Sequence, residues 1–161
     1  MSLNAAPAAI DRTARVRVVI ADDHELIRAG LTRLLAAESD LVVVATASDG
    51  RRAVELVTEH RPDVVLMDLG MPVLDGIEAT REIARTCPST RVLVLTCFAQ
   101  GLVLENAVAA GAHGYLVKHG SSLEVIDAVR RTHAGEAVFS PCLSSARRSA
   151  AGRAPRVATL P

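Results

Sequence analysis

The sequence predicts an α/β fold, (βα)5, in which a doubly wound parallel sheet carries helices on both faces. Three observations carry this prediction. Five short apolar runs recur, rich in β-branched residues and without alternation, as strands covered on both faces require. Stretches of helical period separate them. The length of 161 residues, half of them hydrophobic and 22% charged, suits one domain with tails and can bury a sizeable core.

Each element has its own signal. The predicted strands are Val16–Ala21, Leu41–Thr46, Asp63–Met67, Arg91–Thr96 and Gly114–Val117. In the first helix Leu26, Ile27, Gly30, Leu31, Leu34 and Leu35 follow the helical repeat and predict its buried side. Ala53, Leu56 and Val57 do the same in the second, and Ile77, Ile83 and Ala84 in the third. Leu123, Ile126 and Val129 line one side of the fifth. Asp49 reads as a cap, and Asp75-x-x-Glu78 and Ser121-x-x-Glu124 as capping boxes or close relatives. Gly111 ends the fourth helix, whose Leu102, Val103, Leu104, Ala107 and Val108 make it unusually apolar. Core packing explains that helix more simply than a partner face. From about Pro141 onward Ser, Ala, Arg and Pro dominate and periodicity vanishes.

Charge and cysteine content narrow the function classes. Formal net charge is zero, which argues against general adhesion to nucleic acid or membrane. That sum hides an asymmetry. Residues 1–136 hold all 18 acids, whereas residues 137–161 hold none and four arginines, Arg147, Arg148, Arg153 and Arg156. A solvated linker accounts for those arginines better than phosphate contacts do. Cys87, Cys97 and Cys142 form neither a disulfide framework nor a CxxC metal pair, so a reducing cytoplasm is expected. No apolar run suits a membrane span, and Met1–Asp11 lacks a signal peptide's character. Among the eighteen basic residues Lys118 is the only lysine, at a position that favours a compact ammonium over a guanidinium.

In an open parallel sheet the site lies beyond the carboxyl ends of the strands. Asp22, Asp23, His24 and Glu25 follow the first strand, and Asp68 follows the third, leading into Leu69-Gly70-Met71-Pro72. Thr96 ends the fourth and Lys118 follows the fifth. One Asp after a strand is an ordinary turn or cap residue. Three acids, a hydroxyl and the sole lysine on one edge are not. Converging carboxylates repel unless a cation stands among them, and hard oxygen donors suit Mg²⁺ better than zinc. His24 has no second nitrogen or sulfur ligand at suitable spacing, so it is expected in the loop or first helical turn. A carboxylate beside Mg²⁺, opposite an ammonium and a hydroxyl, is arranged to receive a phosphoryl group on Asp68.

Four segments then match a family. Val18-Val19-Ile20-Ala21-Asp22-Asp23-His24, Val65-Leu66-Met67-Asp68-Leu69-Gly70-Met71-Pro72-x-x-Asp75-Gly76, Val94-Leu95-Thr96 and Gly114-Tyr115-Leu116-Val117-Lys118 resemble the receiver domain of two-component response regulators. The resemblance covers roughly residues 15–140 and implies a flavodoxin-like sheet of order 2-1-3-4-5. Ala134-Gly135-Glu136 through Phe139-Ser140-Pro141 is similar to the NarL/FixJ (LuxR-type) branch, in which a linker joins the receiver to a helix-turn-helix DNA-binding domain.

The resemblance implies a flexible leader (1–14), a receiver (15–136) and a basic linker (137–161). The linker would lead to an output domain outside this sequence, and a fragment of a longer protein is favoured over a stand-alone receiver. It also implies that Asp68 accepts phosphate from a histidine kinase's phosphohistidine. Asp23 would bind Mg²⁺ directly, Asp22 through water, and the Gly70 carbonyl would be a further ligand beside Asp68. Thr96 and Lys118 would contact the phosphoryl group, and Tyr115, the only tyrosine, would turn inward when Thr96 moves. Phosphorylation would favour a homodimer through the first and fifth helices, with DNA bound only by the output domain. Catalysis would be limited to self-catalysed phosphotransfer and autodephosphorylation.

Gly70, Cys97 and His119 depart from common family choices, which bears on the phosphoryl lifetime. A flavin protein of the same sheet order is excluded, because Asp22, Asp23 and Glu25 would repel a phosphate where its binding loop belongs. An Mg²⁺-dependent phosphoesterase would call for a general acid or base and a substrate pocket. A degenerate receiver that acts as an unphosphorylated interaction module is the remaining alternative.

Overall fold

The computed structural model describes residues 15–97 and 100–140. The predicted leader, Pro141, Cys142 and the four tail arginines lie outside the described residues. The order is β1 (Val16–Ala21), α1 (Glu25–Ala36), β2 (Leu41–Ala47), α2 (Gly50–His60), β3 (Val64–Met67) and α3 (Gly76–Thr86). It continues with β4 (Arg91–Thr96), α4 (Gly101–Ala110), β5 (Gly114–Val117), α5 (Ser122–His133) and β6 (Val138–Phe139). All strands run parallel in the order β2-β1-β3-β4-β5-β6.

The predicted order stands, with one strand added at the edge. β6 occupies residues assigned above to the linker, so the folded unit extends past 136. Val138 pairs with Gly114 and Phe139 with Tyr115. Ser140 then donates its amide to the Tyr115 carbonyl (3.1 Å), and its Oγ accepts from the Val117 amide (3.2 Å). Two residues beside a Ser-Pro pair are too few for periodicity to reveal. At β3, Asp63 stands outside the strand, its carboxylate accepting the Arg17 amide (2.8 Å).

Strand alternation builds two cores. Val19, Ala21, Val65, Met67, Val92, Val94 and Tyr115 face one side, against Val57 of α2, Ile83 of α3 and Ala107 of α4. Val18, Ile20, Val64, Leu66, Leu93 and Leu95 face the other, against Leu35 of α1 and Ile126 and Val129 of α5. Burial of each large apolar side chain contributes roughly 1.5–3 kcal/mol, which fixes the strands and therefore their polar ends. Leu26 (87% exposed) and Leu123 (76%) do not join their predicted faces. Both lie in first helical turns. On α4, Leu104, Ala107 and Ala110 are buried, whereas Leu102 and Val108 are exposed.

Local signals set the ends. The Asp49 carboxylate accepts the Arg52 amide, and the Asp75 carboxylate accepts those of Ile77 and Glu78. Ser121 and Glu124 form a complete capping box, whereas Glu78 pairs with Arg81. Gly111 ends α4 at φ 110°, where a side chain would be strained. The start of α3 presses on the strand end before it. A Cβ at Gly76 would lie 2.0 Å from the Asp68 carbonyl oxygen.

Candidate functional site

Parallel register delivers the polar residues to one edge. Ala21 is opposite Met67, so Asp22 and Asp68 leave adjacent strands at the same level. The Asp68 amide donates to the Ala21 carbonyl (2.9 Å) and the Asp22 amide to the Ala47 carbonyl (3.0 Å). These bonds extend both ladders one residue beyond the strands. Thr96 pairs with Val117, and the Lys118 amide donates to the Thr96 carbonyl (2.8 Å).

The side chains then meet. Lys118 Nζ donates to Asp22 Oδ2 at 2.5 Å and lies 3.2 Å from Asp68 Oδ1. All three side chains are almost wholly buried, Lys118 being 7% exposed. Burial, followed by the nearby Asp22 and Asp23 charges, raises the Asp68 pKa, while Lys118 opposes the rise. Burial pushes the Lys118 ammonium toward neutrality, but Asp22 and Asp68 outweigh it and hold its pKa above the ordinary lysine value. The site is a buried ammonium shared by two carboxylates.

Asp23 stands at the mouth, its side chain about a third exposed. Donor atoms from Asp22, Asp23, His24 and Asp68 all lie within 4.8 Å of one another. His24 is the cap residue of α1, within the range expected for it, yet its ring joins the acids. Its Nδ1 is 3.0 Å from Asp23 Oδ1 and 3.2 Å from Asp22 Oδ1. Carboxylates only accept, so this nitrogen is assigned the proton. Gly70 is exposed two residues past Asp68, and a Cβ there would meet nothing within 4 Å. Thr96 is buried at the end of β4, and Tyr115 is fully buried among core residues that include Met71, Leu104 and Ala107.

Residues 18–130 match the model of the response regulator receiver domain. The chain belongs to this family. It is 40% identical over 126 residues to the response regulator protein VraR of Staphylococcus aureus, an alignment that covers 78% of this chain and 60% of VraR. The receiver thus spans about three fifths of the length of the curated relatives it matches. A LuxR-family two-component response regulator from Aurantimonas sp. SI85-9A1 superimposes with a TM-score of 0.81 at 33% identity, covering 86% of this chain and 99% of that one. The NarL signal receiver domain of Mycobacterium tuberculosis gives 0.74 at 36% identity, covering 76% and 98%. The receiver is therefore of the two-component, LuxR-like kind.

Asp22, Asp23, Asp68 and Lys118 gather at one point of this receiver, and Thr96 is held against the same edge. One residue at the site, Arg28, was not singled out from the sequence, since it carried no motif; His24 stands where expected, and only the contact of its ring with the acids is added. Arg28 Nη1 donates to the Asp22 carbonyl at 2.7 Å, and only the chain path reveals that contact. Among the described residues no helix is long and apolar enough to cross a membrane.

Proposed function

We propose that this receiver accepts a phosphoryl group on Asp68 from the phosphohistidine of a sensor histidine kinase, with Mg²⁺ as cofactor, and so controls a DNA-binding output. The observation that carries the reading is Lys118, the sole lysine, shared between Asp22 and the buried Asp68. The donor set fits Mg²⁺, since three of its four side chains offer hard carboxylate oxygens. Asp22, Asp23 and Asp68 would hold the ion, with the Gly70 carbonyl as a further ligand. When bound, Mg²⁺ supplies neutralising charge to the oxygens of the transferring group.

The chain's own residues supply the rest. An Asp68 carboxylate oxygen attacks phosphorus in line as the P–N bond to the donor imidazole breaks. The imidazole leaves with the electron pair, and the product is an acyl phosphate on Asp68. Lys118 keeps its ammonium because two acids hold the proton there, so it can pair with a phosphoryl oxygen. The Thr96 hydroxyl, on the next strand end, is the second donor. Thr96 and Tyr115 then form the switch, with the Tyr115 ring already buried in the core cluster that holds Leu104 and Ala107 of α4. The change biases a two-state face of α4, β5 and α5 toward a homodimer through α1 and α5. A cytoplasmic location, the leader (1–14), a linker that follows β6 and an output domain beyond it belong to the same reading.

Intact mass after incubation with acetyl phosphate and Mg²⁺, beside Asp68→Asn, tests it. One phosphoryl adduct is expected in the wild type, absent with EDTA and absent in the variant. No adduct with Mg²⁺ binding verified would leave an unphosphorylated interaction module. An adduct in both proteins would move the acceptor to another residue.

A further inference from the structure

We infer that Arg28 is a positioning residue for the cation-binding acids, acting through the main chain of Asp22; the inference rests on the Mg²⁺ reading above. The local backbone creates the need. The first helical hydrogen bond of α1 runs from the Arg28 amide to the His24 carbonyl (3.1 Å). The Asp22 carbonyl lies before that ladder and gains no partner from it. Asp22 is 1% exposed, so water is a poor substitute, and a buried carbonyl without a donor is costly.

Arg28 meets the need from the same helix. Its Nη1 donates to that carbonyl at 2.7 Å, six residues along the chain. The Thr32 hydroxyl donates to the Arg28 carbonyl (2.7 Å) one turn further on. Every polar group of Asp22 is thereby fixed. Its amide is bound to Ala47, its carbonyl to Arg28, its Oδ1 by the His24 amide (2.9 Å) and its Oδ2 by Lys118. Asp23 follows directly in the chain, so the orientation of its carboxylate depends on the same peptide. Arg28 touches neither carboxylate.

Charge and position predict opposite results, which makes the inference testable. As a nearby cation, Arg28 disfavours Mg²⁺, so removing its charge would tighten binding. As the group that orients the turn, it favours Mg²⁺, so removing it loosens binding. Orienting partners of metal ligands are typically worth about 10–100-fold in affinity.

The experiment is calorimetric Mg²⁺ titration of the full chain, as wild type, Arg28→Met and Arg28→Lys, with amide exchange at Asp23 and His24 as a second readout. Expected is about tenfold or greater weakening in Arg28→Met, with faster exchange at both amides. Arg28→Lys keeps the charge but not the planar fork, and a smaller loss in the same direction is expected. It also carries the test if Arg28→Met fails to fold. Equal or tighter Mg²⁺ binding in the folded variants overturns the inference and leaves the proposed function intact. No Mg²⁺ binding by the wild type overturns both.

Discussion

Lys118 Nζ lies closer to Asp22 Oδ2, at 2.5 Å, than to Asp68 Oδ1, at 3.2 Å. The ammonium is therefore bound more tightly by the acid that follows β1 than by Asp68. It neutralises the cluster from within, as an inorganic cation would from the mouth. Lys118→Met should raise Mg²⁺ affinity, because three acids lose an internal counter-charge. The same variant should slow phosphorylation of Asp68 by about 10²–10³-fold, the usual loss when one charge-stabilising donor is removed. Calorimetry and quenched-flow labelling check the two halves. Weaker Mg²⁺ binding would contradict the internal-cation account.

Asp68 carries a raised pKa through burial and through its acidic neighbours. Its charged form is disfavoured in the fold, so at neutral pH the ionised group costs stability. Asp68→Asn should raise the melting temperature without Mg²⁺. The advantage should shrink as pH falls through the raised pKa toward the ordinary carboxylate value, because the wild type then protonates and recovers the difference. Melting curves at neutral and acid pH decide it.

His113 has the opposite sign. Its Nδ1 accepts the Val92 amide at 3.1 Å, which requires the neutral ring. Burial, followed by the Arg91 charge, lowers its pKa below the ordinary 6.5. Its contribution is complete above the unfolded value and is lost as pH falls from about 6.5 toward the folded pKa. His113→Asn keeps a side-chain acceptor without that titration. The variant should lose less stability than wild type between pH 7 and 5 in parallel denaturant melts.

Two glycines should respond in opposite directions. At Gly76 a Cβ would lie 2.0 Å from the Asp68 carbonyl oxygen, backbone that cannot rotate away. Gly76→Ala should cost about 1–3 kcal/mol and slow phosphorylation, because relief of the clash moves the acceptor. At Gly30, inside α1, a Cβ would meet nothing within 4 Å. Gly30→Ala should add roughly 0.5–1 kcal/mol of stability and leave phosphorylation unchanged. Denaturant titration and acetyl phosphate labelling separate the two cases.

At Gly70, two residues past Asp68, a Cβ would meet nothing within 4 Å. Gly70→Met should keep the fold within about 0.5 kcal/mol, since the position is exposed. By crowding the path of attacking water, it should prolong the acyl phosphate by up to about tenfold, equivalent to about 1.4 kcal/mol of barrier. Decay of the mass adduct after removal of the phosphodonor measures the lifetime. An unchanged decay would show that water approaches from another side.

The gathering of Asp22, Asp68, Thr96 and Lys118 was legible because each stands at or just after a strand end. A parallel sheet brings all such ends to one edge, whatever the helices do. What was not legible depends on geometry finer than that edge. The ring of His24 faces the acids only because it caps α1 with an extended backbone. Arg28 reaches Asp22 through a main-chain carbonyl, which leaves no pattern of residue types. Leu26 and Leu123 obey the helical repeat, but neither is covered by a neighbour. β6 is set by pairing with β5 rather than by any property of its own two residues.

β6 gives β5 a second duty. The strand that holds Tyr115, and leads directly into Lys118, is also bonded to Ser140 through the Tyr115 carbonyl and the Val117 amide. Ser140, the last described residue, is thus moored to the strand that runs into Lys118. Any displacement of β5 therefore carries Ser140 with it.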